Sequence, residues 1–126
     1  MKDISEIQSE VFRLGSKVNA PYNDLIVITE PSSYGKPYLN ISQDSYEYIY
    51  SERGYEFSRK STKDIDELLY WIIYPVVHQM SVEYELAHRV NETEDCRKVI
   101  FHKLLEYLGK INPAWAEKAE KELPSL

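Results

Sequence analysis

A chain of 126 residues with a formal net charge of −6 has the size of one domain, and its acidity argues against nucleic acid or an anionic membrane as a direct partner, since both reward a basic surface. Its 43% hydrophobic and 29% charged residues are those of a folded protein, not a disordered one. A lone Cys96 excludes an internal disulfide, no apolar run approaches the roughly 20 residues needed to span a bilayer, and the acidic N-terminus is unlike a signal peptide; a single domain over residues 1–126 in the cytoplasm is expected.

Ile4, Ile7, Val11, Leu14 and Val18 recur every three or four residues and predict an amphipathic first helix. Asp3 with Glu6 has the capping-box spacing, and Gly15-Ser16 is placed to end the last turn. The period then becomes twofold. Leu25 to Thr29 is continuously apolar and β-branched, as in a strand covered on both faces. A turn-rich loop over residues 30–37 leads to an alternating second strand at Tyr38 to Ser42. Tyr46, Tyr48 and Tyr50 share one face of a third strand, and Glu52-Arg53-Gly54 turns it, with a bulge expected at the glycine, into a fourth bearing Tyr55, Phe57 and Arg59. Short links favour an antiparallel meander of about four strands.

The second half reads as helical. Thr62 is the expected cap of a helix entered by Asp64, Asp66 and Glu67, with an apolar stripe from Ile65 through Leu68, Leu69, Ile72, Ile73, Val76 and Met80. Uninterrupted to Arg89 it would be roughly 39 Å long. Pro75 removes a backbone donor and crowds the carbonyl of Trp71, so a kink or break is expected there. Asn91 with Glu94 supplies another capping box before a helix through Leu104 and Leu108, which Gly109 is placed to stop. Asn112-Pro113 restarts the chain as N-cap and first residue of a last helix containing Trp115. The expected fold is therefore α+β: an N-terminal helix, a sheet of about four strands, then three or four helices.

Chemistry is sparse. His78, His88 and His102 are too dispersed for a local ligand set, and the Glu85/His88 pair lacks the second copy that a di-iron bundle needs. Cys96 has no base near it in sequence. Four glycines and no Gly-x-Ser-x-Gly leave no phosphate cradle or nucleophile elbow. No enzyme activity, cofactor or metal is expected; binding is.

Tyrosine is the unusual residue, with 11 against 3 Phe and 2 Trp. It joins an apolar body to a polar tip, which suits half-buried sheets and interfaces alike. The face of Tyr46, Tyr48 and Tyr50 either packs beneath the helices or forms an aromatic platform framed by Glu47, Glu52, Arg53 and Glu56. Asp64, Asp66 and Glu67 either serve the helix they begin or add anionic contacts to a basic partner. The candidate partner-binding residues are thus Tyr48, Tyr50, Glu52, Arg53, Glu56, Asp64, Asp66 and Glu67.

Tyr50-Ser51-Glu52-Arg53-Gly54, the run from Ser61 to Ile72, Tyr84-Glu85-Leu86, His88-Arg89, Arg97, Phe101, Leu105 and the segment Leu108 to Ala116 together resemble the Immunity protein 63 family of bacterial polymorphic-toxin systems. The resemblance covers roughly Tyr46 to Lys118; the first 45 residues match only as a generic helix and strands. It implies an α+β protein encoded beside a secreted toxin, whose C-terminal domain it binds and blocks. Such toxins are often nucleases with basic grooves, which an acidic inhibitor would complement. The alternative is an adaptor, or a homodimer joined through the tyrosine face, unrelated to toxins.

Overall fold

The computed structural model describes residues 1–32, 35–52, 55–89 and 95–122. The first helix, α1 (Ile4–Ser16), has the expected capping box: the Asp3 carboxylate accepts from the Glu6 N–H at 2.9 Å, and Glu6 accepts from the Asp3 N–H at 3.3 Å. Ile7, Val11 and Leu14 point from one face into the core. Each such burial is worth roughly 1.5–3 kcal/mol, so the core stripe holds the helix more than its caps do.

The apolar run after α1 is not a strand. A 3-10 turn covers Tyr22–Leu25, Ile26 after it is extended, and among the described residues one backbone bond joins this stretch to the sheet, from the Leu39 N–H to the Ile28 carbonyl at 2.9 Å. The reason lies in Gln8 of α1. Its side-chain amide donates to the Leu25 carbonyl and accepts from the Val27 N–H, both at 2.8 Å. Lys36 takes the Ile26 carbonyl at 2.7 Å. Side chains thus occupy the backbone groups that a neighbouring strand would need.

The sheet accordingly has three antiparallel strands, not about four: β1 (Tyr38–Ile41), β2 (Tyr46–Glu52) and β3 (Tyr55–Thr62), in that spatial order. Leu39 stands opposite Tyr48 and Ile41 opposite Tyr46, so these side chains share the helix-covered face. A bulge interrupts the β2–β3 register between Tyr50 and Ser51. The turn at Arg53-Gly54, with the bulge expected there, lies outside the described residues.

Three helices follow. The first, α2 (Ile65–His88), is capped by Asp64, which accepts from the Asp66 N–H at 2.9 Å; Thr62 ends β3 and accepts from the Asp64 N–H at 3.0 Å instead of capping. The helix runs through Pro75 without a break. Leu69, Ile72, Ile73 and Val77 are buried on both sides of the proline, and this continuous stripe keeps the two halves in one helix. Next comes α3 (Cys96–Ile111), capped by Asp95; the expected Asn91/Glu94 box lies outside the described residues. Gly109 does not end it, because Ile111 extends the buried stripe of Leu104 and Leu108 by one more step. Asn112 then closes α3 and accepts from the Ala114 N–H at 3.0 Å to open α4 (Pro113–Glu122), as its Asn-Pro sequence predicts.

These elements form one hydrophobic cluster, with α2 packed on β2, β3 and α1, and α3 between α2 and α4. No described helix is long and apolar enough to cross a membrane.

Candidate functional site

Of the two readings of the tyrosine face, packing beneath the helices holds for Tyr46 and Tyr48. Tyr46 is 2% exposed and Tyr48 6%, and the Tyr46 hydroxyl accepts from the Lys2 N–H at 2.8 Å beneath the start of α1. What Tyr48 leaves accessible lies along the hollow between the sheet and Pro75-Val76. Tyr50 is half-buried, its ring edge-on to Tyr48 at 5.7 Å. The exposed aromatics are one strand over: Tyr55 at 69% and Phe57 at 62%, with rings 5.6 Å apart. Exposed Glu52 flanks them; Arg53 lies outside the described residues.

The acidic candidates are largely engaged within the fold. Glu56 pairs with Arg59 at 2.8 Å, and Arg59 also reaches Glu47 at 3.0 Å. Asn40 donates to Glu47 at 2.7 Å, so the outer face of the sheet carries a polar link across all three strands. These contacts hold both carboxyls below the usual carboxylate range: the Asn40 amide and then Arg59 for Glu47, Arg59 for Glu56. Asp64 is the cap of α2, and Asp66 accepts the Trp115 indole N–H at 3.2 Å. Glu67 is half-buried in the first turn of α2. Glu85, of the Glu-x-x-His pair, is buried and bonded to Arg89 at 2.8 Å. Among the described residues no group of three or more His, Cys, Asp or Glu side chains is arranged to hold a metal ion.

What the fold assembles instead is an aromatic cleft of about 380 Å³ between sheet and helices. Tyr50 comes from β2, Lys60 from β3, Tyr70, Trp71, Tyr74 and Pro75 from α2, and Glu122 from the end of α4. Tyr70 packs against Tyr74 at 5.5 Å and edge-on against Trp115 at 5.6 Å, which fixes its ring. Lys60 places its ammonium 5.4 Å from the centre of the Trp71 ring, and Lys118 stands 4.5 Å from that of Tyr70. Such contacts are worth roughly 0.5–1 kcal/mol at exposed sites, enough to bias where a flexible lysine rests.

The Tyr70 hydroxyl meets Glu122 at 3.4 Å. Burial, reinforced by Glu122, pushes the Tyr70 and Tyr74 hydroxyls up, and burial alone does so for Tyr50. All three are neutral hydrogen-bond donors at physiological pH. A second hollow of about 170 Å³ adjoins the cleft, with Tyr50 and Pro75 lining both; Ile26, Ile28, Pro37 and Val76 make it predominantly apolar.

Of the binding residues expected from sequence, only Tyr50 reaches this cleft. Lys60, Tyr70, Trp71, Tyr74 and Glu122 carry no binding signal of their own in the sequence, and Pro75 reads there only as a helix breaker. The available signal is Tyr70 and Tyr74, spaced by one helical turn beside Trp71.

This arrangement offers aromatic rings, hydroxyls, one ammonium and one carboxylate to a bound group. Comparison with known proteins finds no matching curated protein and no matching solved structure. The sequence model of the family described as Immunity protein 63 matches residues 43–125, about two thirds of the chain, taking in β2, β3, all three later helices and every residue of the aromatic cleft. The chain belongs to the Immunity protein 63 family.

Proposed function

We propose that this protein neutralises a cognate secreted bacterial toxin by binding its C-terminal domain in a stoichiometric complex, from the cytoplasmic side and without catalysis. The supporting observation is the family match, which coincides with the elements that build the cleft. The contact surface joins that cleft to Tyr50, Glu52 and Glu56 and to exposed Tyr55 and Phe57, an aromatic centre with a charged rim as at interface hot spots. A nuclease toxin suits the net charge of −6, because a basic substrate groove would be steered toward an acidic inhibitor.

Co-expression with the toxin domain encoded by the adjacent gene tests the function: cells otherwise killed should survive, and titration calorimetry should give a 1:1 complex. Association should slow as salt is raised; a rate flat with ionic strength removes the steering component. The open edge of β3, exposed from Tyr55 to Ser61, favours a second reading in which two copies of this chain pair. A tight dimer in sedimentation, with no protection in co-expression, would support that reading instead.

A further inference from the structure

Four aromatic rings, those of Tyr50, Tyr70, Trp71 and Tyr74, line one cavity of about 380 Å³, together with the ammonium of Lys60 and the carboxylate of Glu122. The two charges act at different places. Neither residue belongs to an ion pair among the described residues, so they do not neutralise each other by contact. The Lys60 ammonium rests over Trp71, 5.4 Å from the ring centre. Glu122 belongs to the tyrosine wall: it accepts from the Tyr70 hydroxyl at 3.4 Å, and burial first and then its charge push the Tyr70 and Tyr74 hydroxyls up. That wall therefore sets a carboxylate beside ring faces that are themselves electron-rich, a combination that attracts cations.

We infer that the cleft seats an arginine of the toxin, whose guanidinium stacks among these rings, displaces the Lys60 ammonium from Trp71 and pairs with Glu122. The inference rests on the toxin-binding role proposed above and names the chemistry of its anchor. Lys60 already shows that the cleft takes a cation, and it is a weak occupant. It is exposed on β3, and a ring contact of this kind is worth roughly 0.5–1 kcal/mol, so its ammonium can swing into water as a guest enters. Arginine suits the seat better than lysine, because a planar, weakly hydrated guanidinium stacks on rings and meets a carboxylate with two parallel bonds. The local anchor then has the same sign as the long-range attraction, since a chain of net charge −6 draws in a basic partner.

Titration of the free protein with N-acetyl-arginine methylamide, and with its neutral citrulline isostere, tests the seat by nuclear magnetic resonance. The chain has two tryptophans: the indole N–H of Trp71 reports on the cleft, and that of Trp115, bonded to Asp66, is the internal reference. The arginine compound should shift the Trp71 signal at least threefold more than the citrulline compound; equal shifts overturn the inference. Lys60→Met removes the competing ammonium and should tighten arginine binding at least threefold, whereas Glu122→Gln should weaken it at least threefold. Lys63→Met and Glu120→Gln make the same charge changes outside the cleft and should alter binding less than twofold. Controls that match the cleft variants would trace the effect to net charge and overturn the seat. With the toxin domain of the adjacent gene, Glu122→Gln should lose at least fivefold in affinity and Lys60→Met should lose none. Wild-type protein that neither binds nor protects defeats the toxin-binding role, and this anchor with it. A toxin held equally by wild type and Glu122→Gln defeats the arginine anchor alone. All four substituted residues are exposed, so every variant should melt with the wild type and a changed affinity reports the cleft, not the fold.

Discussion

Trp115 donates its indole N–H to Asp66 at 3.2 Å, tying the last helix to the first turn of the longest one. The tryptophan is 2% exposed, so this carboxylate removes a polar cost that burying the ring would otherwise carry. Asp66→Ala should cost about 1–2 kcal/mol of stability in urea unfolding, whereas Asp66→Asn, which keeps an acceptor, should cost less than half as much. The same acid is a candidate partner contact by sequence. If Asp66→Asn abolishes toxin binding at unchanged stability, the partner role outweighs the structural one.

Gly15 is where α1 meets the turn before the sheet. A Cβ added there would lie 2.5 and 2.7 Å from the two methyls of Leu25, itself 2% exposed. Alanine gains roughly 1 kcal/mol of helix propensity, but crowding a packed site costs typically 1–3 kcal/mol. Gly15→Ala should therefore destabilise by up to about 2 kcal/mol. Leu25→Ala opens the space, so the double variant should be more stable than the sum of the two single losses predicts. Additive losses would show that the contact is not the cause.

Local rules are legible in the chain itself. The capping box of Asp3 and Glu6 and the Asn112-Pro113 restart involve neighbours in sequence, and both appear as read. Sequence reasoning fails where a distant group intervenes. Leu25 to Thr29 has strand composition, yet Gln8 claims its backbone from 17 and 19 residues away. Gly109 has the composition of a stop, yet Ile111 is needed in the core. The face of Tyr46 and Tyr48 can be recognised as a face, but alternation cannot say which side the helices cover. The cleft is hidden for a stronger reason: its walls come from four elements, and the segment from Tyr50 to Pro75 says nothing of Glu122 at the far end of the chain, which closes it.

The link across the sheet should be visible in acid titration. Asn40 and Arg59 depress Glu47, and Arg59 depresses Glu56, so both carboxyls are more acidic folded than unfolded. A depressed carboxyl contributes stability that is present above its unfolded pKa and lost as pH falls through the folded one. Stability should thus fall on the acid side of the ordinary carboxylate range and be flat with respect to these groups at neutral pH. Arg59→Gln should move the titration of Glu56 back toward its ordinary midpoint and that of Glu47 only partly, because Asn40 remains. Carboxyl-carbon chemical shifts followed against pH measure both; unchanged midpoints would show that the ion pairs do not persist in solution.

Pro75 offers the sharpest separation of stability from function. It lies within α2 and cannot donate to the Trp71 carbonyl, a defect that in a helix interior costs about 3 kcal/mol. The residue is exposed, so packing does not require a ring there. It does line both the cleft and the adjoining hollow, where it stands in the wall beside Tyr50. Pro75→Ala should raise stability by about 1–3 kcal/mol in urea unfolding, by restoring one hydrogen bond and relieving the crowding. The same change should weaken toxin binding several-fold, because the lost ring alters the wall shared by the cleft and the hollow. A variant no more stable than the parent would mean that the helix around residues 71–75 has already relaxed to make good the missing bond. A variant that is more stable and binds equally well would place the toxin contact away from this wall, on the exposed Tyr55 and Phe57 of β3.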